Sequence, residues 1–411
     1  MAVTKLYLIR HAEAEGNLYR RIHGWYDSLI TDNGYRQIAA LEERFRNIPV
    51  DAVYSSDLFR TCTTASAIYK PKGLQLNTRR ALREINMGVW EDRTWAETAR
   101  TDPEQLGYFN RNDPAFHCEG SETFDQLRQR VSAAVLNIAA AHPGKTVAVF
   151  SHGMAIRNTV GLFLGYSVAE TNEKVPHGDN TSVTLLEIED GKVRVVFYGD
   201  NSHLPQEIST LARQSWWKSR EGSLADANLW FRPLDMEHDS QFYYQAREEA
   251  WVTIHGSMLY FDGEGFLRDA KDQARYDQCS VMQVMLGDKP AGVLQLNLRR
   301  DADKGVGSIP FFYMLPECRT RGLGVQLLGQ AVSTYRPLGR KYLRLRCAPD
   351  NFVAQRFYQR YGFHKIGEDP GPGCLWILWK NTSDTTAKEF YEYRISPCMQ
   401  RRYAKARLGL V

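Results

Sequence analysis

From Met1 to about Gln206, short β-branched or aliphatic runs alternate with helical stretches, and no other property narrows the possible folds of this chain so far. Lys5 to Ile9, Ala52 to Tyr54 and Thr146 to Phe150 read as strands, whereas Thr31 to Arg46, Asp57 to Tyr69 and Glu122 to Ala141 read as helices. Parallel strands need long crossovers, and helices supply them. The alternation therefore predicts an α/β domain over residues 1–205 with a mostly parallel sheet and helices on both faces. Gly191 separates Ser182 to Ile188 from Lys192 to Phe197, the pattern of a hairpin that closes the sheet with an antiparallel edge.

The pattern then changes. Residues 206–228, with Trp216 and Trp217 adjacent, have weak periodicity and mixed charge and read as a linker. Beyond it come a strand from Leu229 to Leu234, a helix from Asp239 to His255, and a hairpin that turns at Gly287 and Asp288. A strand from Ile309 to Leu315, a helix from Gly322 to Tyr335, a strand from Tyr342 to Arg346 and a helix from Phe352 to Tyr361 follow. This is an α+β pattern with a mixed sheet over residues 229–380. A helical basic extension, residues 381–411, carries Arg401, Arg402, Lys405 and Arg407. Two domains also suit a length of 411 residues, which exceeds what one core usually organises.

Composition excludes several classes of function. A net charge of +4, spread along the chain, does not suit nucleic acid, so small anionic molecules are the natural partners. The seven cysteines are scattered and never form a C-x-x-C pair, which argues against a disulfide framework or a zinc knuckle and for reduced thiols. No apolar run approaches the roughly 20 residues of a membrane span. A cytoplasmic protein with no nucleic-acid or membrane partner is expected.

Histidine can act as a neutral nucleophile near neutral pH and hold a phosphoryl group on nitrogen. That chemistry needs cations around the phosphoryl oxygens and an acid for the leaving oxygen. Arg10 precedes His11 at a strand end, His152 follows another strand, Arg60 follows the turn Ser55-Ser56-Asp57, and Glu84 lies in the loop from Leu82 to Gly88. In an open α/β sheet the ligand crevice lies at the strand C-termini. The order Arg10-His11-Ala12-Glu13, Ser55 to Thr61, Leu82-Arg83-Glu84 with Gly88-Val89-Trp90, and Ser151-His152-Gly153 resembles the histidine phosphatase, or phosphoglycerate mutase-like, superfamily over about residues 1–205. The resemblance implies that His11 is the phosphorylated nucleophile and that Arg10, Asn17, Arg60, His152 and Gly153 form the phosphate site. Glu84 would be the proton donor and later the base for water, with no metal. Ala12, Cys62 and Asp92 depart from the commoner residues of that family and bear on substrate identity. The segment from Glu91 to Glu119 is short, which favours hydrolysis over a mutase reaction. Trp90, Trp95, Tyr108, Phe109 and Arg111 are candidates for a substrate-facing cap, or else an ordinary core stripe.

In the second half, Arg319-Thr320-Arg321-Gly322-Leu323-Gly324 follows a strand and opens a helix, where bare N–H groups suit a diphosphate. No Lys-Ser/Thr follows, so this is not a nucleotide-hydrolysing loop. With Asn351, Phe357-Tyr358 and Tyr361-Gly362-Phe363 downstream, the region resembles the GNAT acetyltransferase superfamily over about residues 229–380. The resemblance implies an acetyl-CoA cofactor whose pyrophosphate sits on the loop from Arg319 to Gly324, with Asn351 along the pantetheine and Tyr358 protonating the thiolate. Glu317 is the candidate base for the amine. The expected protein is bifunctional, with a small-molecule phosphoester and a small-molecule amine as substrates. A mutase in the first half, or an acyl-CoA sensor in the second, are the alternatives.

Overall fold

The computed structural model describes residues 2–214, 227–369 and 375–381, the last of these in backbone only. Trp216, Trp217 and the basic extension after Asn381 lie outside the described residues. The chain divides into two compact units, residues 1–222 and 223–411.

The first unit has six strands, β1 (Thr4–Arg10), β2 (Ala52–Ser55), β3 (Leu76–Thr78), β4 (Thr146–Ser151), β5 (Val183–Glu189) and β6 (Lys192–Asp200), in the order β3-β2-β4-β1-β5-β6. β1 to β4 are parallel, and the hairpin of β5 and β6 runs antiparallel at one edge. Strand residues alternate between two cores. Leu6, Leu8, Val147 and Val149 join one apolar cluster with the helices Phe124–Ala140 and Gly153–Phe163. Ile9, Val53, Ala148 and Phe150 join another with the helices Asp32–Phe45 and Phe59–Tyr69. This period of two on the central strands is why their sequences read as continuous apolar runs.

Two local features differ from the sequence expectation. The helix expected from Asp57 starts at Phe59, because the Asp27 carboxylate accepts the Phe59 N–H at 2.7 Å while Asp57 is gripped by Arg83. Residues 206–214, read as the start of a linker, are packed on the first unit. Ile208 O accepts from Asn33 and Gln37, Ser209 donates to Asp179, and Thr210 bonds both Gln37 and Glu13. Polar side chains make this attachment, so hydrophobic periodicity does not reveal it.

The second unit has a seven-stranded mixed sheet in the order β12-β13-β11-β10-β9-β8-β7. Its strands are β7 (Leu229–Pro233), β8 (Val281–Leu286), β9 (Lys289–Asn297), β10 (Val306–Met314), β11 (Tyr342–Cys347), β12 (His364–Asp369) and β13 (Leu375–Asn381). β10 and β11 are parallel, and the other pairs are antiparallel. Pairing between β10 and β11 ends at Ile309 and Leu345, although β10 continues to Met314. The strands thus part at one end and leave the sheet open there. A helix over Gly263–Tyr276 was not expected, although Phe266, Leu267, Ala270 and Ala274 pack on the core at helical spacing; Gly263, Gly265 and the interspersed charged residues interrupt the pattern. The helix expected from Gly322 begins at Val325, because Thr320 and Gly322 have φ of 61° and 71°, which a right-handed helix cannot accommodate.

Candidate functional site

Parallel register aligns Arg10 of β1 with Ser151 of β4, so His11 and His152 leave the sheet side by side at its C-terminal edge. Their ring centroids are 5.3 Å apart. His11 Nδ1 lies 2.7 Å from the Ala12 carbonyl. A carbonyl oxygen only accepts, so Nδ1 carries the hydrogen and Nε2 keeps the lone pair. Burial, then the charges of Arg60 and Arg10, hold the His11 pKa well below the ordinary histidine value, which leaves the ring neutral. His152 is held low in the same way, by burial and then by Arg60, and its Nε2 lies 2.9 Å from Ser56 Oγ.

Two guanidinium groups flank these rings. Arg10 Nη1 donates to Gly178 O at 2.6 Å, and a Cβ on Gly153 would come within 3.2 Å of Arg10 Nε. Glycine therefore lets the guanidinium lie against the start of the helix Gly153–Phe163. Arg60 donates to the carbonyls of Tyr26 at 2.8 Å and Gly24 at 2.6 Å. The loop that supplies those carbonyls is held in turn by the buried Glu91 carboxylate, which accepts the N–H groups of Gly24, Trp25 and Tyr26. Burial pushes Glu91 up despite these bonds, and burial raises Asp27, close to Arg60, to about 6. Arg10 Nε, Arg60 Nε and His152 Nδ1 are all buried without a hydrogen-bond partner. Buried donors that converge without acceptors form a site for an oxyanion.

Glu84 sits at the N-terminus of the helix Gly153–Phe163, where its carboxylate accepts from Met154 N at 3.0 Å and Ala155 N at 2.9 Å. Its loop is pinned from behind. Arg130 donates to the carbonyls of Ala81, Arg83 and Glu84 while pairing with Glu122, and Trp25 Nε1 donates to Glu84 O. Asn17 Oδ1 accepts from Ala14 N at 3.1 Å and from Asn180 Nδ2 at 3.4 Å, and the Asn180 amide also bonds His11 O. Arg10, His11, Asn17, Arg60, Glu84, His152 and Gly153 therefore occupy one neighbourhood.

The sequence reading missed Ser56, Asp27, Glu91, Asp179 and Asn180, which orient those groups, and His23, which stacks on Tyr26 and lies 3.4 Å from Asp92. One signal was available in the departure at Asp92, which stands at φ 61°, a conformation that glycine adopts more easily. Of the aromatic candidates for a cap, Trp90 and Phe109 are core residues packed with Phe116 and Phe124. Trp95 and Tyr108 pack against that core, and Arg111 is exposed.

In the second unit, the loop from Arg319 to Gly324 turns on the left-handed Thr320 and Gly322, leads into the helix Val325–Tyr335, and buries Leu323. A Cβ on Gly324 would sit 3.3 Å from Phe357, so this glycine lets the loop approach the helix Phe352–Arg360 that carries Tyr358. Tyr358 stands among Phe312, Phe357 and Phe363, and burial pushes its hydroxyl well above the usual tyrosine range. Asn351 caps this helix by accepting from Ala354 N at 3.1 Å. The Arg319 guanidinium is held by Met314 O at 2.9 Å and by Glu249 at 2.6 Å. Arg321 and Glu317, the latter on a short 3-10 turn after β10, are exposed. Among the described residues, no group of three or more His, Cys, Asp or Glu side chains could hold a metal ion, and no helix is long and apolar enough to cross a membrane.

Residues 6–201 match the family model for the histidine phosphatase superfamily (branch 1), and residues 237–363 match that for the acetyltransferase (GNAT) family. A metal-independent phosphoserine phosphatase of Arabidopsis thaliana is 34% identical over 210 residues, which are 49% of this chain and 84% of that protein. The phosphoglycerate mutase-like protein 4 of the same plant is 32% identical over 206 residues, 49% of this chain and 87% of that one. Among solved structures, Bacillus stearothermophilus YhfR is 31% identical, with a TM-score of 0.47, over 49% of this chain and 98% of its own.

Proposed function

Residues 6–201 make this chain a member of the histidine phosphatase superfamily, and residues 237–363 add a GNAT acetyltransferase domain to the same polypeptide; on that premise we propose a bifunctional enzyme that hydrolyses a small phosphomonoester and acetylates a small amine. The observation that carries the first activity is the neutral His11 with its lone pair on Nε2, beside the buried unpartnered donors of Arg10, Arg60 and His152. His11 Nε2 attacks phosphorus and the ester P–O bond breaks. The leaving alcohol takes its proton from Glu84. Water then attacks the phosphohistidine, Glu84 takes a proton back, and the P–N bond breaks to free His11 and inorganic phosphate. Arg10, Arg60 and His152 hold the equatorial oxygens throughout, Asn17 adds a contact from the short helix Glu15–Tyr19 that follows His11, and Gly153 keeps space for the Arg10 guanidinium. This chemistry needs no metal, since the guanidinium charges already face the site. Similarity to a phosphoserine phosphatase supports a small phosphate ester, with phosphoserine the first to assay.

For the second activity, the left-handed turns at Thr320 and Gly322 and the helix start at Val325 fit a diphosphate. Acetyl-CoA would be held there by the segment from Arg319 to Gly324 and by Asn351, and it would supply an activated acetyl thioester. Tyr358, buried and neutral, would donate its hydroxyl proton to the leaving sulfur. A cytoplasmic enzyme is consistent with both substrates.

A phosphate-release screen that starts from phosphoserine, run on wild type and His11→Ala, tests the first half; release that survives in the variant refutes it. The mutase reading has one supporting fact, the similarity to a phosphoglycerate mutase-like protein. Isomerised product instead of free phosphate, with a bisphosphate supplied, would establish it. Stabilisation by acetyl-CoA, with thiol release dependent on an added amine, tests the second half. An acyl-CoA sensor would show the first without the second. The fusion also supports consecutive action on one metabolite, which fails if neither product is a substrate at the other site.

A further inference from the structure

Helix Ser240–His255 packs on the face of β10 that carries Phe311 and Tyr313, opposite the face on which Phe312 meets Tyr358. In that layer lies Arg247. Its guanidinium carbon sits 3.8 Å from the Phe311 ring centroid and 4.5 Å from that of Phe266. Its Nε donates to the Tyr243 hydroxyl at 2.8 Å and its Nη2 to Gln295 Oε1 at 2.7 Å, and both partners are neutral. Among the described residues, Nη1 has no protein partner and no carboxylate lies within ion-pair distance. The nearest acidic influence, Asp269, is bonded to Gln273 instead. Burial lowers the guanidinium pKa, yet Arg247 remains partly exposed.

A desolvated cation with only neutral partners is unfavourable unless something else completes it. Two aromatic faces and two neutral acceptors orient the planar fork, and Nη1 is left open for an anion. The neighbouring cation, Arg319, is already neutralised by Glu249, which also bonds Tyr313 and Thr253. Among the described residues, Arg247 is therefore a cation with no carboxylate bonded to it, Asp269 acting on it only from a distance. It lies beside the stretch of β10 from which β11 has separated, so a molecule held on this face can reach the opening beside Phe312 and Tyr358.

We propose that Arg247 is the carboxylate-binding group of the acyl-acceptor subsite, so that the acceptor is an amino-acid-like amine bearing a carboxylate. The assignment rests on the acetyltransferase reading above and names the acceptor class that reading left open. Guanidinium and carboxylate form paired charge-assisted hydrogen bonds, which are the strong ones. Glu249, two residues along the same helix, pairs with Arg319 at 2.6 Å and is a positioning residue for it.

The test uses the full chain. Thiol release from acetyl-CoA is measured with a mixture of free α-amino acids and with the matching α-amino amides, in wild type, Arg247→Gln and Arg247→Lys. The free acids should turn over and the amides should be poor. Arg247→Gln should raise KM for the acids about 10- to 100-fold, the loss expected for a charge-assisted bond, with the Kd for acetyl-CoA unchanged. Arg247→Lys should recover part of it. Equal use of acids and amides by wild type, or discrimination that persists in Arg247→Gln, overturns the proposal. Binding of N-acetylglycine and of N-acetylglycinamide by calorimetry reads the subsite without turnover. If neither amine set releases thiol but wild type alone prefers the carboxylate, the acetyl-transfer reading falls and the anion subsite stands. If wild type shows no such preference, the subsite falls whatever the turnover.

Discussion

Replacing Thr210 by valine should destabilise the phosphatase unit even though residues 206–228 read, by sequence, as a tether. The Thr210 side chain is 4% exposed, accepts from Gln37 Nε2 at 3.0 Å, and donates to the Glu13 carboxylate at 3.2 Å. Valine keeps the β-branched shape and removes only the hydroxyl. Glu13, 3% exposed and held otherwise by Thr31 and Asn33, loses one of its donors, while Gln37 keeps Ile208 O. A hydrogen bond to a charged group contributes about 1.5–3 kcal/mol and a neutral one about 1 kcal/mol, so the loss should be about 2–4 kcal/mol. For a unit of this size that lowers the melting temperature by roughly 5–15 °C. Phosphatase activity should fall as well, because Gln37 Oε1 also accepts the Glu13 N–H, two residues from His11. The assay is urea unfolding of the full chain, read by hydrogen-exchange protection of residues 4–10 and 146–151, with Thr210→Ser as the variant that restores the hydroxyl. A surface tether tolerates such a change within about 0.5 kcal/mol. That result would refute the packed segment.

His203, held to about 4 by burial and then by Arg44, binds a proton in the unfolded chain but not in the folded one between those pKa values. Its contribution to stability is complete above the ordinary histidine pKa of about 6.5 and is lost as pH falls towards 4, on the order of 2 kcal/mol by pH 5. Denaturation of His203→Gln from pH 7.5 to 5 should show a shallower dependence, and an unchanged slope would count against it. Because burial and two arginines keep His11 neutral, its ring resonances should not titrate from pH 7.5 to 6; a titration centred at the ordinary histidine value would show that His11 is protonated there. Alanine at Gly161 would drive a Cβ into the Thr171 side chain and should cost about 1–3 kcal/mol in urea unfolding, with no loss meaning that the helices Gly153–Phe163 and Val168–Lys174 can separate freely. Tyr358→Phe should slow thiol release about 10²- to 10⁴-fold with acetyl-CoA affinity within about twofold, whereas a parallel loss of affinity would make Tyr358 a binding residue.

Much of the architecture was legible because strand and helix periods are properties of near neighbours. β4 has a six-residue run whose alternate side chains enter two cores, and the helix Asp32–Phe45 buries Ile38, Leu41 and Phe45 at helical spacing. The helix Gly263–Tyr276 was passed over although Phe266, Leu267, Ala270 and Ala274 recur at helical spacing, because glycines and charged residues surround them. The segment from Gln206 to Gln214 was misread for another reason. Its anchors are Asn33, Gln37, Glu13 and Asp179, polar residues at separations of up to 197 positions, which leave no periodic trace.

By itself, the amino-acid order determined that His11 and His152 would emerge together, because each follows a strand of a parallel sheet and such strands bring their C-termini to one edge. It also determined which residues could supply charge to that edge. Only the tertiary structure decided their state. It removed water from His11 and set two guanidinium groups beside it, placed Glu84 on a helix terminus about 70 positions away, and left Arg247 between two rings with no carboxylate bonded to it among the described residues. Periodicity acts over a few residues, whereas desolvation and charge pairing depend on which distant segments close around a group.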